Sequence, residues 1–120
     1  MKRFLLSGLI LLAACTDGYS QHRADLVLVN KTGYNISEVY ISAVQANQWK
    51  ENLIGNDRFD HSAERVIRRP DVSKACHWDL LVVYDDDGEM AVWSTIDLCK
   101  NSRVTLFYDR KTDTTSAIFD

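Results

Sequence analysis

Two apolar runs, residues 80–84 and 90–96, flank the dipeptide Asp87-Gly88, and a cysteine stands beyond each run, at positions 76 and 99. Asp-Gly between apolar runs marks a β-hairpin. A two-residue type I′ turn needs positive φ at both centres, which Gly adopts freely and Asp tolerates. In a hairpin centred there, residues equally far from the turn face each other. Cys76 lies eleven residues before Asp87 and Cys99 eleven after Gly88. The spacing therefore predicts that they meet at the hairpin base, within disulfide reach. A three-residue turn with a bulge would shift every pair by one.

The third cysteine, Cys15, ends a different signal. Lys2 and Arg3 give a basic start, and residues 4–12 are apolar except for Ser7 and Gly8. This run is short of the roughly 20 residues a membrane-spanning helix needs and suits the apolar region of a signal peptide. It closes on Leu12-Ala13-Ala14-Cys15, which resembles the lipobox of bacterial lipoproteins. The resemblance implies cleavage before Cys15, a diacylglycerol on its thiol and an acylated, palmitate-type amino terminus. The alternative is an ordinary secretory signal cut after Ala14. Two or more acyl chains attach a protein stably where one does not. The expected membrane partner is thus met through Cys15 alone. Thr16 stands where an Asp would favour inner-membrane retention, so the expected address is the outer membrane, facing the periplasm. The division is 1–14 signal peptide, 15–24 lipidated Cys and tether, and 25–120 folded domain.

Charge fits this picture. The chain has 14 Lys and Arg against 17 Asp and Glu, a net −3. That argues against a nucleic-acid binder. The leader takes Lys2 and Arg3 away, leaving 12 basic against 17 acidic side chains, a difference of −5. A domain of this sign gains nothing from anionic headgroups, so lipid must do the anchoring. With Cys15 used, Cys76 and Cys99 form an even pair in an oxidising compartment. The alternative is two free buried thiols.

The rest of the chain reads as β. Residues 25–30, 36–43, 64–69, 103–108 and 115–119 join the hairpin arms as short strands between turn signals. Residues 44–53 have room for one helical turn and no more. The expected fold is all-β, an antiparallel β-sandwich or small barrel of about seven to eight short strands with one disulfide.

Three blocks carry a further resemblance. They are Asn30-x-Thr32-Gly33 with Ile36 and Val39-Tyr40-Ile41-Ser42, then Trp49 with Leu53-Ile54-Gly55, then Cys76-x-x-Asp79-Leu80-x-Val82-x-Tyr84 with Asp87-Gly88 and Ile96-Asp97-Leu98-Cys99. Together they resemble a group of small exported bacterial β-sandwich proteins of unassigned activity. The resemblance spans about residues 26–107 and implies export, a disulfide and a sandwich, with no reaction. Lys50 and Asn52 stand where the group commonly has Gly and Asp.

Candidate chemistry is sparse. Asp85, Asp86, Asp87 and Glu89 crowd one turn, but their spacing is not that of a calcium loop, and a tight hairpin sends adjacent side chains to opposite faces. They are read as a solvated acidic turn. His22, His61 and His77 lack metal-ligand spacing, and no Gly-x-Ser-x-Gly elbow or phosphate loop occurs. No catalytic residue, metal, cofactor or small-molecule substrate is expected. Asn30-Lys31-Thr32 and Asn35-Ile36-Ser37 match glycosylation patterns and are read as turns. Arg58, Arg65, Arg68 and Arg69 cluster in an acidic chain, and Trp49 is one of three tryptophans. Arg and Trp anchor interfaces, so these five are the candidate partner-binding residues. The alternative is charge protecting an edge strand and tryptophans packed in the core. The expected function is a lipid-anchored, non-catalytic binding or structural module of the envelope. The alternative is a protective inhibitor or immunity-type lipoprotein that docks its acidic loop on a hydrolase or toxin.

Overall fold

The computed structural model describes residues 25–69 and 75–120. The leader, Cys15 and the tether lie outside the described residues. Seven strands form: β1 (Leu26–Asn30), β2 (Ile36–Ala43), β3 (Glu64–Ile67), β4 (His77–Tyr84), β5 (Met90–Asp97), β6 (Arg103–Asp109) and β7 (Thr114–Phe119). They build a four-stranded sheet in the order β3-β1-β6-β7 and a three-stranded sheet in the order β2-β4-β5. Leu26, Leu28, Val104 and Leu106 from the first sheet pack with Val39, Ile41, Leu80, Val82 and Trp93 from the second. Pairing is antiparallel except between β1 and β6, which run parallel. The expected turn after β2 is a single one, closed by the amides of Ala46 and Asn47 on the Ala43 carbonyl.

Alternation explains most strands, and two bulges explain the exceptions. In β2, Ile36 falls out of phase with Val39 and Ile41, yet all three are buried. The register shifts between Ile36 and Glu38, so the strand absorbs one residue and returns its apolar set to the core.

The hairpin departs from the two-residue turn expected at Asp87-Gly88. Val83 faces Met90, and the Tyr84 amide donates to the Glu89 carbonyl at 2.8 Å, leaving a four-residue loop, 85–88. Gly88 takes φ +74°, whereas Asp87 is not among the residues of positive φ, so the geometry of a type I′ turn is not met. Side-chain and backbone bonds open the loop. The Asp85 amide donates to the Asn35 carbonyl, and the Glu89 amide to Asp87 Oδ1. A bulge then restores part of the register. Ser94 and Thr95 oppose Asp79, Thr95 adopts φ +57°, and its amide donates to Asp79 Oδ1 at 2.8 Å. A turn at Asp97 adds the rest. Cys76 and Cys99 are joined, with Cα atoms 5.0 Å apart.

The two sides of the sandwich close differently. On one, β5 and β7 meet. Trp93 Nε1 donates to the Ser116 carbonyl at 2.8 Å, and Thr115 Oγ1 to the Val92 carbonyl at 3.1 Å. On the other, the loop of residues 52–59 lies along β2. The Leu53 amide donates to the Val39 carbonyl, Phe59 bridges Ile36, and Asn52 Oδ1 accepts from the Val39 amide at 3.0 Å. Asn52 thus fastens that loop to the sheet.

Candidate functional site

The parallel alignment of β1 and β6 brings three connections to one end of the sandwich: residues 31–35, 85–89 and 110–113. Each delivers an aromatic or charged group. Tyr34 precedes β2, Tyr84 ends β4, and Tyr108 lies near the end of β6. The rings of Tyr84 and Tyr108 stack at 5.2 Å, and Tyr34 meets both edge-on. Arg110 lies against this triad, its guanidinium carbon 3.6 Å from the Tyr34 centroid and 5.3 Å from that of Tyr84. Stacking on tyrosine faces suits the planar guanidinium.

The acidic turn supplies the countercharge. Arg110 Nη1 lies 3.0 Å from Asp86 Oδ2 and 3.2 Å from Asp87 Oδ2, and Nη2 reaches Asp86 Oδ1. Arg58 approaches Asp85 at 3.8 Å. The turn is therefore not simply solvated, and Asp86 and Asp87 do not splay apart. The wider loop lets both carboxylates converge on one guanidinium. Arg110 holds the Asp86 carboxyl below the ordinary aspartate range, and Asp86 in turn holds Arg110 firmly charged. Arg110 Nε is buried with no hydrogen-bond partner, and the buried Tyr84 hydroxyl makes no well-aligned one, with Thr32 as its side-chain neighbour. Burial drives the Tyr84 hydroxyl well above the usual tyrosine range, with Tyr108 adding to the rise and Arg110 opposing it.

Beneath the cluster sits a polar hub. Asn30 Nδ2 donates to the carbonyls of Tyr34 and Phe59, and Asn30 Oδ1 accepts from the Thr32 amide and hydroxyl. Asn30 and Thr32 are buried. This fits their reading as turn residues, because both ends of the Asn30 amide are engaged inside the protein.

The expected partner-binding residues separate. Arg65 lies over Phe59 at 5.4 Å and donates to the Arg58 carbonyl; Arg69 lies over Trp78 at 5.4 Å and donates to the Ala75 carbonyl. These two arginines cover core aromatics, Phe59 of the loop along β2 and Trp78 of β4. Arg58 pairs with Asp60 at 2.8 Å. Arg68 is exposed. Trp49 is 40% exposed, whereas Trp78 and Trp93 are core residues. Among the described residues no hydrogen bond or cation–π contact joins Trp49 to the arginines.

Cys76, Asp97 and Cys99 bring ligand-type atoms within 4.8 Å of one another. The two sulfurs are bonded to each other, so neither is a thiolate. Asp97 Oδ1 instead accepts the amides of Cys99 and Lys100 and shapes the turn that carries Cys99.

Sequence reasoning did not single out Arg110, Tyr34 or Tyr108, and it met Tyr84 only within a recurring block, with no role. Their one linear signature is a tyrosine at a strand end, three times, which gains meaning only when the strand directions are known.

No family model and no curated protein matches the chain. An NMR structure of a protein from Eubacterium rectale is similar, with a TM-score of 0.58 at 15% identity, over 88% of this chain and 94% of that one. At that identity the likeness concerns the fold alone.

Proposed function

We propose that this chain is a lipid-anchored, non-catalytic binding or structural module of a bacterial cell envelope, tethered through Cys15 with residues 25–120 projecting from the membrane. The observation that carries the reading is the cysteine division. Cys76 and Cys99 are joined to each other, which suits an oxidising compartment and leaves Cys15, at the end of Leu12-Ala13-Ala14, for lipid. Charged groups in the loop cluster pair with one another, Arg110 with Asp86 and Asp87. That is the pattern of a scaffold more than of a reaction centre. The same pairing weakens the inhibitor reading, since the acidic loop spends much of its charge within the chain.

The test is fractionation of cells making the full chain or Cys15→Ser. The parent should sediment with membranes and take up an alkyne palmitate label. Cys15→Ser should lose both. A variant that stays in the membrane pellet and remains labelled would overturn the lipid-anchor reading.

A further inference from the structure

We propose that the free edge of β3 pairs antiparallel with β3 of a second copy of this chain, joining two four-stranded sheets across a two-fold axis at Val66. β3 hydrogen-bonds to β1 on one side only. The Asn30 amide donates to the Ala63 carbonyl, which sets the phase; Arg65 and Ile67 repeat it opposite Leu28 and Leu26. The backbone groups of Glu64 and Val66 therefore turn away from β1, and no backbone group among the described residues pairs with them. The other edges are engaged: β2 by the loop of residues 52–59, and β5 and β7 by each other. Val66 is 57% exposed.

Charge selects a second copy as the occupant. The edge reads Glu64-Arg65-Val66-Ile67-Arg68. With Val66 opposite Val66, Glu64 of each copy faces Arg68 of the other, so two opposite-charge pairs flank the axis on the face that holds Val66. A slip of two residues sets Arg65 against Arg65 in one direction and against Arg69 in the other, and like charges directly opposite are destabilising. A slip of one residue opposes outward-facing backbone to inward-facing backbone. A single register is thus self-complementary, as a two-fold interface requires. Arg68 makes no ion pair with a described residue, while Glu64 already accepts a hydrogen bond from the half-buried Arg103 within the chain and would share it with Arg68 of the second copy.

In this register the two Val66 residues form a hydrogen-bonded pair with Cα atoms roughly 5.5 Å apart, within disulfide range. The full chain carrying Val66→Cys, oxidised and run without reductant, should give a species of twice the mass whose linked peptide joins position 66 to itself. Ile118→Cys, comparably exposed at 54% on β7, should remain single. A Val66→Cys chain that stays single, or equal linkage through Ile118→Cys, overturns the proposal. Sedimentation of the full chain supplies an independent arm. Glu64→Lys should weaken association about tenfold, and Glu64→Lys with Arg68→Glu in one chain should restore it. Failure of the double variant to recover would also overturn the self-pairing.

Discussion

Arg110 and Tyr34 belong to different sheet connections, yet the guanidinium carbon of one stands 3.6 Å from the ring centroid of the other. Through the same side chain, Asp86 and Asp87 on a third connection are drawn in at 3.0 and 3.2 Å. One residue thus ties together three loops far apart in sequence, and each of its contacts asks for a planar, permanently charged group.

Arg110→Ala should lower the melting temperature by roughly 4–8 °C, since cation–π contacts of partly desolvated guanidinium contribute about 0.5–2 kcal/mol. Arg110→Lys should recover only a minor part, because an ammonium keeps the charge and loses the stacking plane. Equal stability of the Lys variant and the parent would show that charge alone matters here. The pairing also has a pH signature. Arg110 lowers the Asp86 carboxyl in the folded state, so its contribution is present above the unfolded value near 4 and is lost as pH falls through the folded one. Between pH 7 and pH 3, Asp86→Asn should therefore lose less melting temperature than the parent does.

Much of the fold is legible in the sequence, because a strand with one buried face writes its period into its residues. The positions of the strands along the chain follow from that, whereas the cysteine pair is expected from a two-residue turn that does not form and is brought back into reach by the bulge at Thr95 and the turn at Asp97. What the sequence hides is where the period is broken. The bulge near Ser37 depends on β4 lying alongside, and the bulge at Thr95 depends on Asp79, sixteen residues away, accepting its amide. The hairpin loop is longer than Asp-Gly suggests because Asn35 and Arg110, from elsewhere in the chain, hold it open. The basic cluster looked uniform as a string, yet strand parity sends Arg65 and Arg69 over Phe59 and Trp78 and leaves Arg68 exposed. Arg110 carried no signal at all, since its role arises from the parallel pairing of β1 with β6.

Tyr84 is fully buried, and its hydroxyl makes no well-aligned hydrogen bond, with Thr32 as its side-chain neighbour. A buried polar group left unsatisfied costs about 1–3 kcal/mol. Tyr84→Phe keeps the ring against Tyr108 and removes that cost, so it should melt at or above the parent temperature. A clear loss of stability would show that the hydroxyl is satisfied in solution. The alkaline limb offers a second reading. Burial raises the hydroxyl's pKa above the usual tyrosine value near 10, so the associated stability is complete below that value and is lost as pH rises beyond it. Tyrosinate absorbance from Tyr84 should appear only together with unfolding, and Tyr84→Phe should shift alkaline unfolding to higher pH.

The Cys76–Cys99 bond closes a loop with a sequence separation of 23 around the hairpin that supplies Trp78, Leu80, Val82 and Trp93 to the core. Its expected contribution is about 3 kcal/mol in the chain-entropy model, and removing a native disulfide from a small domain costs about 2–5 kcal/mol. Cys99→Ala in the full chain should therefore melt well below the parent under non-reducing conditions. Reductant should bring the parent down to meet it. Cys99 is exposed while Cys76 is half-buried, so reduction should proceed without prior unfolding. The double variant Cys76→Ala with Cys99→Ala separates the cross-link from the side chains themselves. If the cross-link carries the stability, the double variant should melt close to the single one, because the second substitution removes no further bond. A double variant falling as far again below the single would assign the effect to packing at Cys76. A parent whose melting temperature is unchanged by reductant would remove the disulfide from the account of what holds the hairpin closed.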